Sequence, residues 1–72
     1  MNADEFIRKV RKLGRRNRVP VRIDRSAKSG GHVYLIFGDK RTQVPLHGAR
    51  REIRPGLLAK MLKDLGLRKE EL

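Results

Sequence analysis

Apolar residues in the first part of the chain recur at helical spacing. Four of them share one face of a helix: Phe6, Ile7, Val10 and Leu13. Asn2 is suited to cap the start of this helix, and Gly14 is placed where a glycine commonly ends one. The pattern predicts an amphipathic α-helix between Asn2 and Gly14, with a basic outer face.

The middle of the chain changes to the alternation that is typical of strands. A first strand is predicted over residues 19–24, where Pro20 indicates the edge of a sheet. The second and most strand-like segment covers residues 32–37, and a third strand covers residues 41–44. Gly38 stands at the first central position of the turn between these two strands, which favours a tight hairpin. Residues 25–31 and 47–54 are predicted loops.

The last predicted element is a second helix. Pro55 suits its first turn, a stripe of leucine and methionine follows, and Gly66 closes it with Leu67 folding back. The order is therefore α-β-β-β-α. We expect an α+β domain in which one three-stranded antiparallel sheet carries both helices on one face.

Alternation along the middle strand predicts which side chains face the helices. Two sets lie on opposite faces: Val33, Leu35 and Phe37 on one, and His32, Tyr34 and Ile36 on the other. The first set is the bulkier and more apolar, so we expect it in the core. His32 then lies at the start of the strand, on the open face of the sheet or at its edge. A slip of one residue would reverse this assignment.

Charge and composition limit the function. The 72 residues include 19 Lys and Arg against 8 Asp and Glu, a formal net charge of +11. Such a balance favours a polyanionic partner, above all nucleic acid. The absence of cysteine excludes disulfides, cysteine-based zinc sites and thiol nucleophiles. The longest apolar run is too short to cross a membrane, and the acidic N-terminus is unlike a signal peptide. These features predict a soluble protein of the cytoplasm without a membrane partner.

The candidate chemistry lies with two histidines in a basic setting, His32 and His47. The carboxylates are too scattered to predict a metal site. RNA supplies its own nucleophile, the 2′-hydroxyl, so that cleavage needs only a proton acceptor and positive charge on the phosphate. Histidine suits the first role at neutral pH. Taken alone, however, a histidine at the end of a strand is more often structural.

Three segments, in order, resemble motifs of the HicA toxins (the YcfA-like family). Gly31 and His32 before an apolar strand ending at Phe37 are similar to the family's G-S-H-x-x-F motif. Residues 44–48, V-P-L-H-G, resemble its V-P-x-H-x segment. Residues 52–67 resemble its ending, E-L-K-P-G-T-L-x-K-I-L-K-Q-A-G-L. The resemblance covers essentially the whole chain, 1–72, as a single domain, and is strongest over residues 30–67.

The resemblance implies a double-stranded-RNA-binding-domain-like fold and a metal-independent, cofactor-free endoribonuclease that cleaves mRNA. It also implies an acidic antitoxin partner of the HicB type. Carried onto this chain, the family's catalytic histidine is His32. The chain departs from the family at Gly31, where a serine or another small polar residue is usual. The alternative is a non-catalytic RNA-binding module with the same fold, which accounts for the charge equally well.

Further candidate residues follow from the setting of His32. We expect phosphate contacts from Lys28, Arg41 and Arg25, and a close backbone approach at Gly30 and Gly31. The basic surface over residues 8–18 provides non-specific affinity for RNA.

For two more residues the sequence leaves two alternative roles open. Tyr34 either stacks on a base or simply covers the sheet. His47 either contacts RNA or is a loop histidine bonded to its neighbours.

Overall fold

Two helices and three strands follow one another in the predicted order. The computed structural model describes residues 1–25, 31–45 and 50–72. Its elements are α1 (Ala3–Asn17), β1 (Val21–Asp24), β2 (His32–Phe37), β3 (Lys40–Pro45), α2 (Pro55–Leu65) and a short 3-10 helix (Lys69–Glu71). This arrangement confirms the small α+β class with the order α-β-β-β-α. Residues 26–30 of the first predicted loop and 47–49 of the second lie outside the described residues, as does residue 46.

The sheet is antiparallel, with β2 between β1 and β3. The predicted edge position of β1 is confirmed, but the strand begins at Val21 rather than at residue 19. Pro20 has no N–H to give to a ladder. Its carbonyl instead accepts a hydrogen bond of 2.9 Å from the backbone N–H of Gly38 in the β2–β3 turn. β3 extends one residue further at each end than predicted.

Both helices pack on the same face of the sheet, as expected. Buried side chains from the helices and the sheet form one core: Phe6, Val10, Met61, Leu62 and Leu65 against Val33, Leu35 and Val44. The predicted assignment of the β2 faces is therefore confirmed. Val33 and Leu35 are buried under the helices, whereas His32 is exposed on the opposite side.

The predicted end of α1 at Gly14 is wrong. The helix continues to Asn17, and Arg18 takes the left-handed C-cap conformation at φ 56°. Gly14 is needed for a different reason, because the start of β1 passes directly over it. A Cβ atom at this position would lie 2.8 Å from the carbonyl oxygen of Val19 and in closer collision with the side chain of Val21. The glycine therefore allows α1 to approach β1 rather than ending the helix.

The ends of α2 agree with the prediction. Pro55 occupies its first turn, and Gly66 is the left-handed C-cap at φ 69°. The N–H of Leu67 then donates to the carbonyl of Leu62 at 2.9 Å, which folds the chain back over the end of the helix.

A polar contact also joins α2 to β3. Thr42 is the buried polar residue among the described positions of the core, and its hydroxyl donates to the carboxylate of Asp64 at 2.9 Å. Lys60, one turn earlier on α2, bonds the same carboxylate at 3.1 Å. These bonds from Lys60 and Thr42 hold the pKa of Asp64 below its usual value of 3.8. The charged form of Asp64 is therefore the one that stabilises the fold.

The lowered pKa of Asp64 predicts a loss of stability in acid. The stabilisation is fully present above the pKa of the unfolded chain and disappears as the pH falls through the lower pKa of the folded state. We expect the Asp64→Asn variant to show a flatter pH dependence of the free energy of unfolding in urea. Asp39→Asn is the matched control, because the Asp39 side chain is 94% exposed. Equal pH profiles for the parent and Asp64→Asn would contradict this role.

Candidate nucleic-acid interface

The sheet face opposite the helices, here the open face, carries the side chains that alternate with the core. Cross-strand partners lie on the same side of a sheet, so the register defines this face completely for the three strands. Its members are Arg22 and Asp24 from β1, His32, Tyr34 and Ile36 from β2, and Arg41, Gln43 and Pro45 from β3. The open face is thus mainly polar and basic, with one aromatic ring.

His32 is the first residue of the central strand, and its side chain is exposed. It pairs with Pro45 at the end of β3. The preceding Gly31 has a φ of 84°, a conformation that glycine adopts at little cost and other residues rarely adopt. This backbone favours glycine over a residue with a side chain at position 31. The turn at Gly31 starts the strand with the imidazole on the open face.

Tyr34 is the next residue of β2 on the open face, and two side chains of β3 contact it. The guanidinium carbon of Arg41 lies 4.7 Å from the centre of the Tyr34 ring, a cation–π contact. The Gln43 amide donates a hydrogen bond of 3.4 Å to the Tyr34 hydroxyl. The register explains both contacts, since Gln43 pairs with Tyr34 and Arg41 is its diagonal neighbour. The ring is half-buried between them.

A shallow depression continues the open face toward the β2–β3 turn. It has a volume of about 420 Å³ and is lined by Arg22, Asp24, Ile36, Gly38, Asp39, Lys40 and Arg41. Arg22 and Arg41 both pair with Ile36, one from each side, so two arginine residues flank this apolar residue in the sheet. The depression can therefore receive an anionic group near the aromatic ring.

Comparison of the chain with protein-family models, curated proteins and solved structures finds no match.

The predicted site residues are only partly brought together. Arg41 pairs with Ile36, four residues along β2 from His32, which is about 14 Å at the usual rise of a strand. It therefore contacts Tyr34 rather than the surroundings of His32. Arg25 is exposed directly after the end of β1. Lys28, Gly30 and His47 lie outside the described residues.

The basic surface of α1 lies on the other side of the sheet from His32. Its exposed cations are Arg8, Arg11, Lys12, Arg15, Arg16 and Arg18. Arg11 and Arg15 line a groove of about 450 Å³ together with residues 19–21, where the chain enters β1. The cations of α1 and those of the open face therefore lie on two different surfaces.

Sequence reasoning did not name Arg22, Ile36 and Gln43 of the open face as members of a candidate site. The alternation of β1 and β3 contains the signal for two of them, since Arg22 and Gln43 alternate with apolar or core positions. Alternation within a strand does not reveal the register between strands. The register is what places Gln43 beside Tyr34 and both Arg22 and Arg41 beside Ile36.

The described ranges, 1–25, 31–45 and 50–72, contain no membrane-spanning helix and no group of metal ligands. Neither α1 nor α2 is long and apolar enough to span a membrane. No three of the His, Asp and Glu side chains in these ranges are grouped so that they could hold a metal ion.

Proposed function

We propose that this protein is a metal-independent endoribonuclease of the HicA toxin type, which cleaves mRNA in the cytoplasm and is neutralised by an acidic, HicB-like antitoxin. The observation that carries the proposal is the position of His32. Its imidazole is exposed at the start of the central strand, on the sheet face that the helices leave uncovered. The order of the three HicA-like segments along the chain supports the same function.

The proposed reaction uses the 2′-hydroxyl of the RNA as nucleophile. His32 accepts the proton of this hydroxyl while its oxygen attacks the adjacent phosphorus. The bond from phosphorus to the 5′-oxygen breaks, and that oxygen leaves with a proton from solvent or from a protonated histidine. The products are a 2′,3′-cyclic phosphate and a 5′-hydroxyl. Cationic side chains stabilise the charge that develops on the phosphoryl oxygens.

The charge of the protein supports both proposed partners. A net charge of +11 attracts RNA through its phosphates and makes the binding strongly dependent on salt. The same charge attracts an acidic protein. Because His32 is exposed, an antitoxin that binds the open face would cover the imidazole as well as neutralise the arginines of the same face.

Cleavage of RNA in the presence of EDTA tests the proposal. We expect the native protein to cut a single-stranded RNA oligonucleotide and to leave 2′,3′-cyclic phosphate ends, identified by mass spectrometry. The matched control carries one 2′-deoxynucleotide at the site of cleavage, which removes the nucleophile and is expected to abolish cutting there. Cleavage of this control at an equal rate would contradict the mechanism.

A non-catalytic RNA-binding module remains the second candidate, and the position of α1 favours it. The arginines of α1 lie on the side of the sheet away from His32, so they can bind phosphates without any proton transfer. This candidate predicts that RNA is bound with the same dependence on salt but is recovered intact. The EDTA assay therefore separates the two functions.

A further inference from the structure

We infer that the open face binds one unpaired base on the Tyr34–Arg41 pair, so that the ligand is single-stranded RNA rather than a duplex. The inference rests on the proposed function, since it names the substrate class of the same site. By contrast, the α-β-β-β-α order, which is like that of double-stranded-RNA-binding domains, suggests a duplex as the ligand. The residues that support it are those of the open face within the described ranges.

Stacking is the interaction that this pair of side chains offers. Bases of unpaired RNA stack on aromatic rings and on arginine guanidinium planes, and Tyr34 and Arg41 present both groups 4.7 Å apart. The contact holds the two planes in place before RNA binds. Gln43 donates to the Tyr34 hydroxyl, which leaves the amide oxygen and a second N–H of Gln43 to bond the edge of a base.

The spacing along β2 connects the stacked base to the proposed chemistry. Tyr34 and His32 lie on the same face two residues apart, about 7 Å along the strand. A phosphate that adjoins a base on Tyr34 therefore falls within reach of His32. On the other side of Tyr34, Arg22 and Arg41 flank Ile36 and line the depression near the turn, where they can bind a second phosphate.

A duplex does not fit this arrangement. Inside an RNA helix both faces of each base are covered by its neighbours in the stack, so no internal base is free for Tyr34 or Arg41, and only the end pairs leave one face uncovered. Unpaired nucleotides can turn a base outward onto a protein surface. They also let the 2′-oxygen reach the in-line position that attack on the phosphorus requires. The open face accordingly selects unpaired RNA.

The fluorescence of Tyr34 tests the inference directly, because the chain has one tyrosine and no tryptophan. The native protein is titrated with a 2′-O-methyl oligonucleotide, which cannot be cleaved, either alone or annealed to its complement as a blunt duplex. We expect the single strand to quench Tyr34 emission and the duplex to leave it nearly unchanged at equal phosphate concentration. Affinity is measured in parallel by anisotropy of a label on the RNA.

Variants separate stacking from general attraction. Tyr34→Leu is expected to weaken single-strand binding about tenfold, and Tyr34→Phe, which keeps the ring, to bind within about twofold of the parent. Arg11→Ala, on α1, is the electrostatic control. It should weaken the binding of the single strand and of the duplex alike and make this binding less dependent on salt. Circular dichroism confirms the fold of each variant.

The results distinguish this inference from the proposed function. Equal binding of duplex and single strand, with no quenching of Tyr34, overturns the inference even if RNA is cleaved in EDTA. Quenching of Tyr34 in the native protein, together with loss of affinity in Tyr34→Leu, upholds the inference even if no RNA is cleaved. In that case only the proposed catalytic function fails.

Discussion

Replacing His32 by alanine is expected to lower the rate constant of RNA cleavage by about 10²–10⁴-fold, the range for a general base. The side chain is exposed and belongs to the open face, so its loss leaves the core intact. RNA affinity should change by less than about twofold, because most of it comes from phosphate contacts of lysine and arginine. Single-turnover cleavage with excess protein in EDTA measures the chemical step apart from binding.

Two additions make the His32 experiment specific. Free imidazole should restore part of the activity of His32→Ala, since it supplies the missing proton acceptor, and should not accelerate the parent. Lys63→Ala is the control for loss of an exposed polar side chain, because Lys63 lies on α2 on the opposite side of the sheet. A His32→Ala protein that cuts RNA as fast as the parent would falsify the assignment.

Replacing Gly14 by alanine is expected to destabilise the fold by about 2–3 kcal/mol, because the added methyl group overpacks the contact of α1 with β1. The new Cβ would lie 2.8 Å from the Val19 carbonyl oxygen and would also collide with Val21. Neither obstacle is the end of a flexible side chain. The loss is large for a domain of this size, whose total stability is about 4–11 kcal/mol. Urea unfolding followed by circular dichroism measures it.

The same substitution at Gly56 is the matched control and should have the opposite sign. Gly56 lies in the first turn of α2, and apart from its chain neighbours and the nearby helix backbone no heavy atom lies within 4 Å of the place where its Cβ would be. Alanine there removes conformational freedom from the unfolded chain without a clash, and we expect a gain of about 0.4–1 kcal/mol. Destabilisation by both substitutions would show that helix context rather than the α1–β1 contact determines the effect at Gly14.

The periodic parts of the fold could be predicted from the sequence. Residues 32–37 alternate clearly, and β2 has those bounds. Pro55 and Gly66 mark the ends of α2 because each has one strong backbone preference, and the structure confirms both. The end of α1 could not be found in the same way. Arg18 takes the conformation that favours glycine, while Gly14 serves a tertiary contact that local sequence does not reveal.

The part of the candidate site that could be predicted is the set of side chains that alternation along β2 places on one face. The placement of His32 and Tyr34 on the open face follows from the pattern of β2 and is confirmed. The contact of Arg41 with Tyr34 instead depends on how β3 is aligned with β2, which the hairpin turn and the packing of α2 decide together. For this reason the sequence predicted Arg41 as a phosphate ligand but not as a partner of the ring. The roles of His32 and of the remaining site residues stay predictions.

The alternation of β2 has a consequence for how this protein can evolve. Val33 and Leu35 maintain the core, while His32, Tyr34 and Ile36 face outward from the same six-residue strand. Substitutions at the outward positions can change what is recognised while the architecture persists, so specificity is free to diverge among descendants. An inserted or deleted residue within the strand exchanges the two sets at once. Lineages that descend from this chain should therefore vary β2 by substitution and conserve its length.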